Sequence, residues 1–173
     1  MIKTKKLVYI SLLVAQAMVL NYLERFIPIS IITAIPGAKL GLANIITMVS
    51  LKTLSIKNVL IVIFVRTLLS AVMFGSLSSY IYSLSGAILS FIIMALLTKN
   101  KKISLITISI FGAIFHNIGQ LAAAAAVIEN YRLITYYLPF LILIAIPTGL
   151  FVGACSKGLL SYLYRTNLYF KDK

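Results

Sequence analysis

Acidic residues are nearly missing from this chain. Glu24, Glu129 and Asp172 are the whole supply among 173 residues, against sixteen lysines and arginines. Paired or clustered carboxylates are therefore absent, and with them general acid–base work by two carboxyl groups and magnesium held on carboxylate oxygens. Cysteine occurs once, which excludes an internal disulfide and a multi-cysteine metal cluster. Cys155 itself reads as a small apolar filler. No glycine-rich phosphate loop and no catalytic triad can be found, and nothing calls for a cofactor or a metal.

Apolar residues are what the chain has in excess, at 61% of its length. A water-soluble domain of this size cannot hide so much apolar surface, because polar groups must cover its exterior. Several long uncharged runs point to lipid as the solvent, and hence to an integral membrane protein. The net charge of +13 does not imply nucleic acid. The lysines fall in short gaps between apolar runs, where they meet anionic headgroups, and no continuous basic surface with stacking aromatics is visible. The start, "MIKTKKLVYISLLVAQAMVL", resembles a signal peptide with an Ala-x-Ala triplet at Ala15 and Ala17. Because the apolar run continues past that triplet to Leu23, it reads as an uncleaved first helix.

Five runs are long enough to cross: residues 7–23, 58–74, 79–98, 103–128 and 137–160. Each spans most or all of a roughly 30 Å hydrocarbon core at about 1.5 Å per residue. Residues 41–51 cover only about half of it as a helix. Charge decides whether that piece crosses. With a cytoplasmic amino terminus and six crossings, Lys3, Lys5, Lys6, Lys52, Lys57, Lys99, Lys101, Lys102, Lys157, Arg165, Lys171 and Lys173 lie inside, twelve of sixteen cations. Arg25, Lys39 and Arg132 lie outside, and Arg66 lies within a span. Five crossings invert the Lys99–Lys102 cluster and destroy the bias. The expected fold is an all-α, six-transmembrane-helix bundle forming one domain over 1–173, with both termini cytoplasmic and a short, broken second span. The ten tyrosines, most of them near run ends, suit the same layout.

The segment before the short run, "FIPISIITAIPGAKL", is apolar but interrupted by Pro28, Pro36, Gly37 and, just beyond, Gly41. Irregular backbone at membrane depth is tolerated only inside protein or beside a wet cavity, and in transporters it points to a binding site. Lys39 either stands at the mouth of such a cavity or snorkels to the outer headgroups. Small residues recur at helical spacing at Ser79, Ser83, Gly86 and Ser90, at Ala145, Gly149 and Gly153, and at Ser11 and Ala15. Such faces serve internal helix packing or the docking of a separate membrane protein.

Arg66 sits mid-run in "NVLIVIFVRTLLSAVMF" and must face the bundle interior with a partner, with Ser70 on its face and Glu24 or Glu129 as the available acids. On "FGAIFHNIGQLAAAAA", Gly112, His116 and Gln120 stack four apart and Asn117 flanks them. These side chains either bond neighbouring helices or meet a ligand. Asn44 on the short segment is also expected to face inward. Lys39, Arg66 and a protonated His116 outnumber Glu24 and Glu129, so the group suits an anionic small molecule such as a carboxylate or phosphate ester.

The stretches "PGAKLGLANI", "FVRTLLSAVMFG", "GSLSSYIYSLSGAILSFIIM" and "GAIFHNIGQLAAA" resemble the bacterial membrane family called Gx transporters, also known as heptaprenyl diphosphate synthase component I. The resemblance spans nearly the whole chain and is most distinctive at "KLGLAN" and "HNxGQ". That family in turn is similar to the substrate-binding S components of energy-coupling factor transporters. The resemblance implies six helices, a long first outer loop and a ligand pocket near the outer face. It also implies residence in the bacterial cytoplasmic membrane and partnership with a transmembrane coupling protein and ATPase subunits. "SLLVA" on the first span is similar to the small-residue coupling motif, with Ser11 in place of its first alanine and Ala15 at its second. Substrate-binding residues under this reading are Lys39, Asn44, Arg66, His116, Asn117 and Gln120. Uptake of a vitamin-, quinone- or isoprenoid-related anion is the first expectation. The alternative is an accessory role in polyprenyl diphosphate or quinone synthesis or in extracellular electron transfer. Prenyl elongation holds diphosphates through magnesium on aspartate-rich clusters, and this chain has no aspartate before Asp172. It is not expected to be an enzyme.

Overall fold

Lipid gives the backbone no water to bond, so a chain this apolar must satisfy its amides internally. The computed structural model describes residues 2–27, 39–167 and 169, and among these it is helical with no strand. Helices α1 (Ile2–Glu24), α2 (Asn44–Thr53), α3 (Ile56–Phe74), α4 (Leu77–Thr98), α5 (Leu105–Val127) and α6 (Arg132–Thr166) follow in order. All but α2 are long and apolar enough to cross a membrane. Pro28, Pro36 and Gly37, and the tail with Lys171, Asp172 and Lys173, lie outside the described residues.

Local chemistry sets the helix ends. Ser76 Oγ accepts from Ser79 N at 3.2 Å and starts α4, and Ser104 Oγ accepts from Thr107 N at 3.0 Å and starts α5. The turn closing α5 puts Glu129 in the left-handed region at φ 55, with Asn130 N reaching back to Ala125 O at 3.0 Å. Helix α6 is 35 residues long and carries Pro139 and Pro147 inside it, so it runs well past the expected 137–160. Backbone hydrogen bonds do not stop where apolar side chains do, and its last turn carries Arg165 outward.

Close packing rests on glycine at two seams. A Cβ at Gly149 would fall 2.5 Å from Ile110 Cα, and one at Gly153 2.7 Å from Ile106 Cα. The Gly-x-x-x-Gly face of α6 is thus spent inside the chain against α5. On α4, Gly86 lies against Gly119 of α5, where a Cβ would meet Gly86 Cα at 2.8 Å. Ser11 and Ala15 are exposed on α1.

Helix α2 is the centre of the bundle. Every residue in it except Lys52 is buried, and it touches all five other helices. Its axial position is fixed at both ends. Gly41 N donates to Glu24 Oε1 at 2.6 Å, and Tyr9 OH donates to Thr53 Oγ1 at 3.2 Å. Residues 41–53 therefore run antiparallel to α1 across about 20 Å of its length. Phe74 meets Tyr22 with ring centroids 5.4 Å apart and lies 5.7 Å from the Arg25 guanidinium, so α3 ends where α1 ends. Alternation of the remaining helices gathers Lys52, Lys57, Lys99, Lys101, Lys102, Lys157 and Arg165 at the end where α1 begins. Arg25, Lys39 and Arg132 stand at the opposite end.

Candidate functional site

The amino-terminal turn of α2 supplies the focus. Gly41 adopts φ +85, a conformation that L side chains rarely take, and a Cβ there would lie 2.8 Å from His116 Cδ2 and 2.9 Å from Asn44 Nδ2. Across the imidazole, a Cβ at Gly86 would lie 2.7 Å from His116 O and 2.8 Å from Gln120 Cγ. Two glycines, one on the strap before α2 and one on α4, thus make room for His116 of α5.

Five hydrogen bonds hold this region together. Lys39 N donates to Gln120 Oε1 at 2.9 Å, and Gln120 Nε2 donates to Lys39 O at 2.9 Å. One side-chain amide thus satisfies both backbone polar groups of Lys39. Lys39 Nζ donates to Ser70 Oγ at 3.4 Å, and Arg66 Nη2 donates to Thr47 Oγ1 at 3.2 Å. The Glu24 carboxylate, from the end of α1, accepts from Gly41 N just ahead of α2, at the end of that helix where a negative charge is favoured. No side chain of α2 caps that end.

Several polar atoms here lack a hydrogen-bond partner: Glu24 Oε2, both amide atoms of Asn44, Arg66 Nε and both ring nitrogens of His116. Their residues are only 2–4% exposed. Burying such groups unpaired is costly, which marks the cluster as unfinished.

The expected residues divide. Lys39, Asn44, Arg66, His116 and Gln120 come together. Asn117 turns away, its Nδ2 donating to Leu141 O of α6 at 3.0 Å, because one residue is about 100° around a helix. Of the two acids expected beside the cations, Glu24 joins the cluster and Glu129 does not. Glu129 is exposed on the turn after α5, where its backbone closes the helix. Gly149 and Gly153 face α5, and Ser11 and Ala15 face outward. Thr47 was not singled out by sequence reasoning. Its spacing of three from Asn44, on a helix expected to be buried, is the signal that would have found it. Among the described residues there is no group of three or more His, Cys, Asp or Glu side chains able to hold a metal.

This fold and this cluster define a helical membrane protein with a polar, cation-rich centre built around a short interior helix. Residues 13–159 match the model of the heptaprenyl diphosphate synthase component I family, and the chain belongs to that family. The family name describes one component of a synthase. No curated protein and no solved structure matches the chain.

Proposed function

We propose that the protein is a non-catalytic, substrate-binding membrane subunit, similar to an S component, that takes up a small anionic solute related to a vitamin, quinone or isoprenoid. The single observation behind this reading is the buried cluster itself. Two cationic side chains, Lys39 and Arg66, face one carboxylate, Glu24, beside the unpartnered atoms of Asn44 and His116. In lipid such an arrangement is expensive unless a ligand completes it. Asn117 and Gln120 serve this site by fixing α6 and the Lys39 strap.

In the same reading the strap and α2 make the second of six passages, of which α2 is the short helical part. The lysine-rich end faces the cytoplasm of a bacterial cell, with both termini there. Its partners are the bilayer, the solute and a transmembrane coupling protein with ATPase subunits, the last meeting the exposed Ser11–Ala15 strip of α1. A second reading, an accessory component of polyprenyl diphosphate synthesis, draws on the family name.

Native mass spectrometry of the detergent-purified protein tests the first reading. It expects a retained small molecule that is lost in Arg66→Glu while the variant stays folded and monodisperse. Undiminished retention in that variant refutes the assignment. Co-purification with a soluble prenyl synthase instead of ATPase subunits favours the second reading.

A further inference from the structure

The unpartnered atoms specify more than the sign of the ligand's charge. They converge on one place. Asn44 and His116 both crowd the Cβ position of Gly41, Glu24 is bonded to Gly41 N, and Arg66 is bonded to Thr47, one turn into α2. Sorted by chemistry, Arg66 Nε and Asn44 Nδ2 are donors, while Glu24 Oε2 and Asn44 Oδ1 are acceptors. A neutral imidazole at His116 adds one of each. The inventory is balanced. Formal charge is nearly balanced too: the two cations Lys39 and Arg66 against the carboxylate of Glu24 leave one positive charge over.

Resting on the uptake reading above, we infer that the ligand carries one net negative charge and, beside its anionic group, N–H or O–H donors as well as acceptors. The same atoms disfavour a prenyl diphosphate. It brings two or more negative charges to a centre with one to spare, and its polar end is all acceptor. Glu24 Oε2 and Asn44 Oδ1 would then face it unpaired, one of them in direct repulsion. A monocarboxylate bearing a lactam, phenol or ring N–H answers every atom. A monoanionic phospholipid headgroup with free hydroxyls shares this chemistry.

Two measurements on the full chain decide. Native mass spectrometry, with fragmentation of whatever is retained by wild type and lost in Arg66→Gln, expects a monoanion containing an N–H or O–H group. A water-soluble species assigns the centre to uptake, and a glycerophospholipid assigns it to lipid; both agree with the inference. A retained diphosphate, or an anion without donors, overturns it while leaving a ligand-binding role standing. Retention of nothing that depends on Arg66 overturns the binding role and this inference together.

Thermal stabilisation by 4-hydroxybenzoate and by inorganic diphosphate gives the independent readout, in wild type and in Glu24→Gln. That variant keeps an acceptor for Gly41 N but removes the charge. The wild type prefers 4-hydroxybenzoate, and Glu24→Gln shifts the preference toward diphosphate by about tenfold or more, the scale of one close charge pair. Equal preference in the two proteins, or a wild type that favours diphosphate, refutes the inference.

Discussion

Gly41→Ala is the smallest change that tests whether the cluster is built as described. Two costs add. Holding a residue with a Cβ in the left-handed region costs roughly 1–2 kcal/mol. The new methyl would also lie 2.8 Å from His116 Cδ2 and 2.9 Å from Asn44 Nδ2, and overpacking of this kind costs roughly 1–3 kcal/mol. The sum, about 2–5 kcal/mol, corresponds to roughly 5–20 °C in the midpoint for a chain of this size. The chain has no tryptophan to report melting. Its one cysteine, the half-buried Cys155 of α6, serves through a thiol-reactive dye that labels it on unfolding. Gly158→Ala is the control, because nothing lies within 4 Å of a Cβ there; as an interior helix position it should gain about 0.5–1 kcal/mol. Gly41→Ala/His116→Ala separates the costs, recovering the overlap with His116 but neither the overlap with Asn44 nor the backbone term. A Gly41→Ala midpoint equal to that of the wild type, or a Gly41→Ala penalty no smaller in the His116→Ala background than in the wild type, refutes the packing described.

The remaining predictions concern the strap, the seams and the layout. Gln120→Leu removes both bonds to Lys39 and lowers stability by about 1–3 kcal/mol, with faster hydrogen exchange at the Lys39 amide; unchanged exchange there would show that Gln120 does not hold the strap. Gly149→Val and Gly153→Val drive a side chain into the α5 backbone and should abolish monodisperse expression, whereas Ala15→Leu, exposed on α1, should leave the isolated protein folded. Should Ala15→Leu also spare capture of a membrane partner, α1 is not its docking face. A cysteine at Lys101, introduced beside Cys155→Ala, should resist an impermeant thiol reagent in intact cells and react after permeabilisation; labelling from outside would invert the proposed orientation.

The five long helices were legible because lipid leaves a chain few choices. Uncharged runs of sufficient length must become helices, and residues 58–74 and 79–98 begin within two residues of α3 and α4 and end where they end. The ends of α1 and α6 were less legible, since a helix outlasts its apolar stretch. Within the candidate site, spacing of four along α5 did bring His116 and Gln120 to one face. It could not say that Gln120 would bond the backbone of Lys39 rather than another side chain. Nor could it choose between Glu24 and Glu129, which both end a span at the same end of the bundle.

The amino-acid sequence by itself determined a helical membrane protein of this family, with a lysine-rich end and an arginine that had to be buried. Those properties follow from transfer free energies, which depend on residue type and run length alone. The tertiary structure decided which polar atoms meet. It turned Asn117 to α6, sent Glu129 to the surface, set Glu24 at the start of α2, and left a small balanced set of donors and acceptors unpaired. Helix rotation and register control those contacts, and a step of one residue, about 100° of turn, is enough to move a side chain from the shared centre to a neighbouring seam.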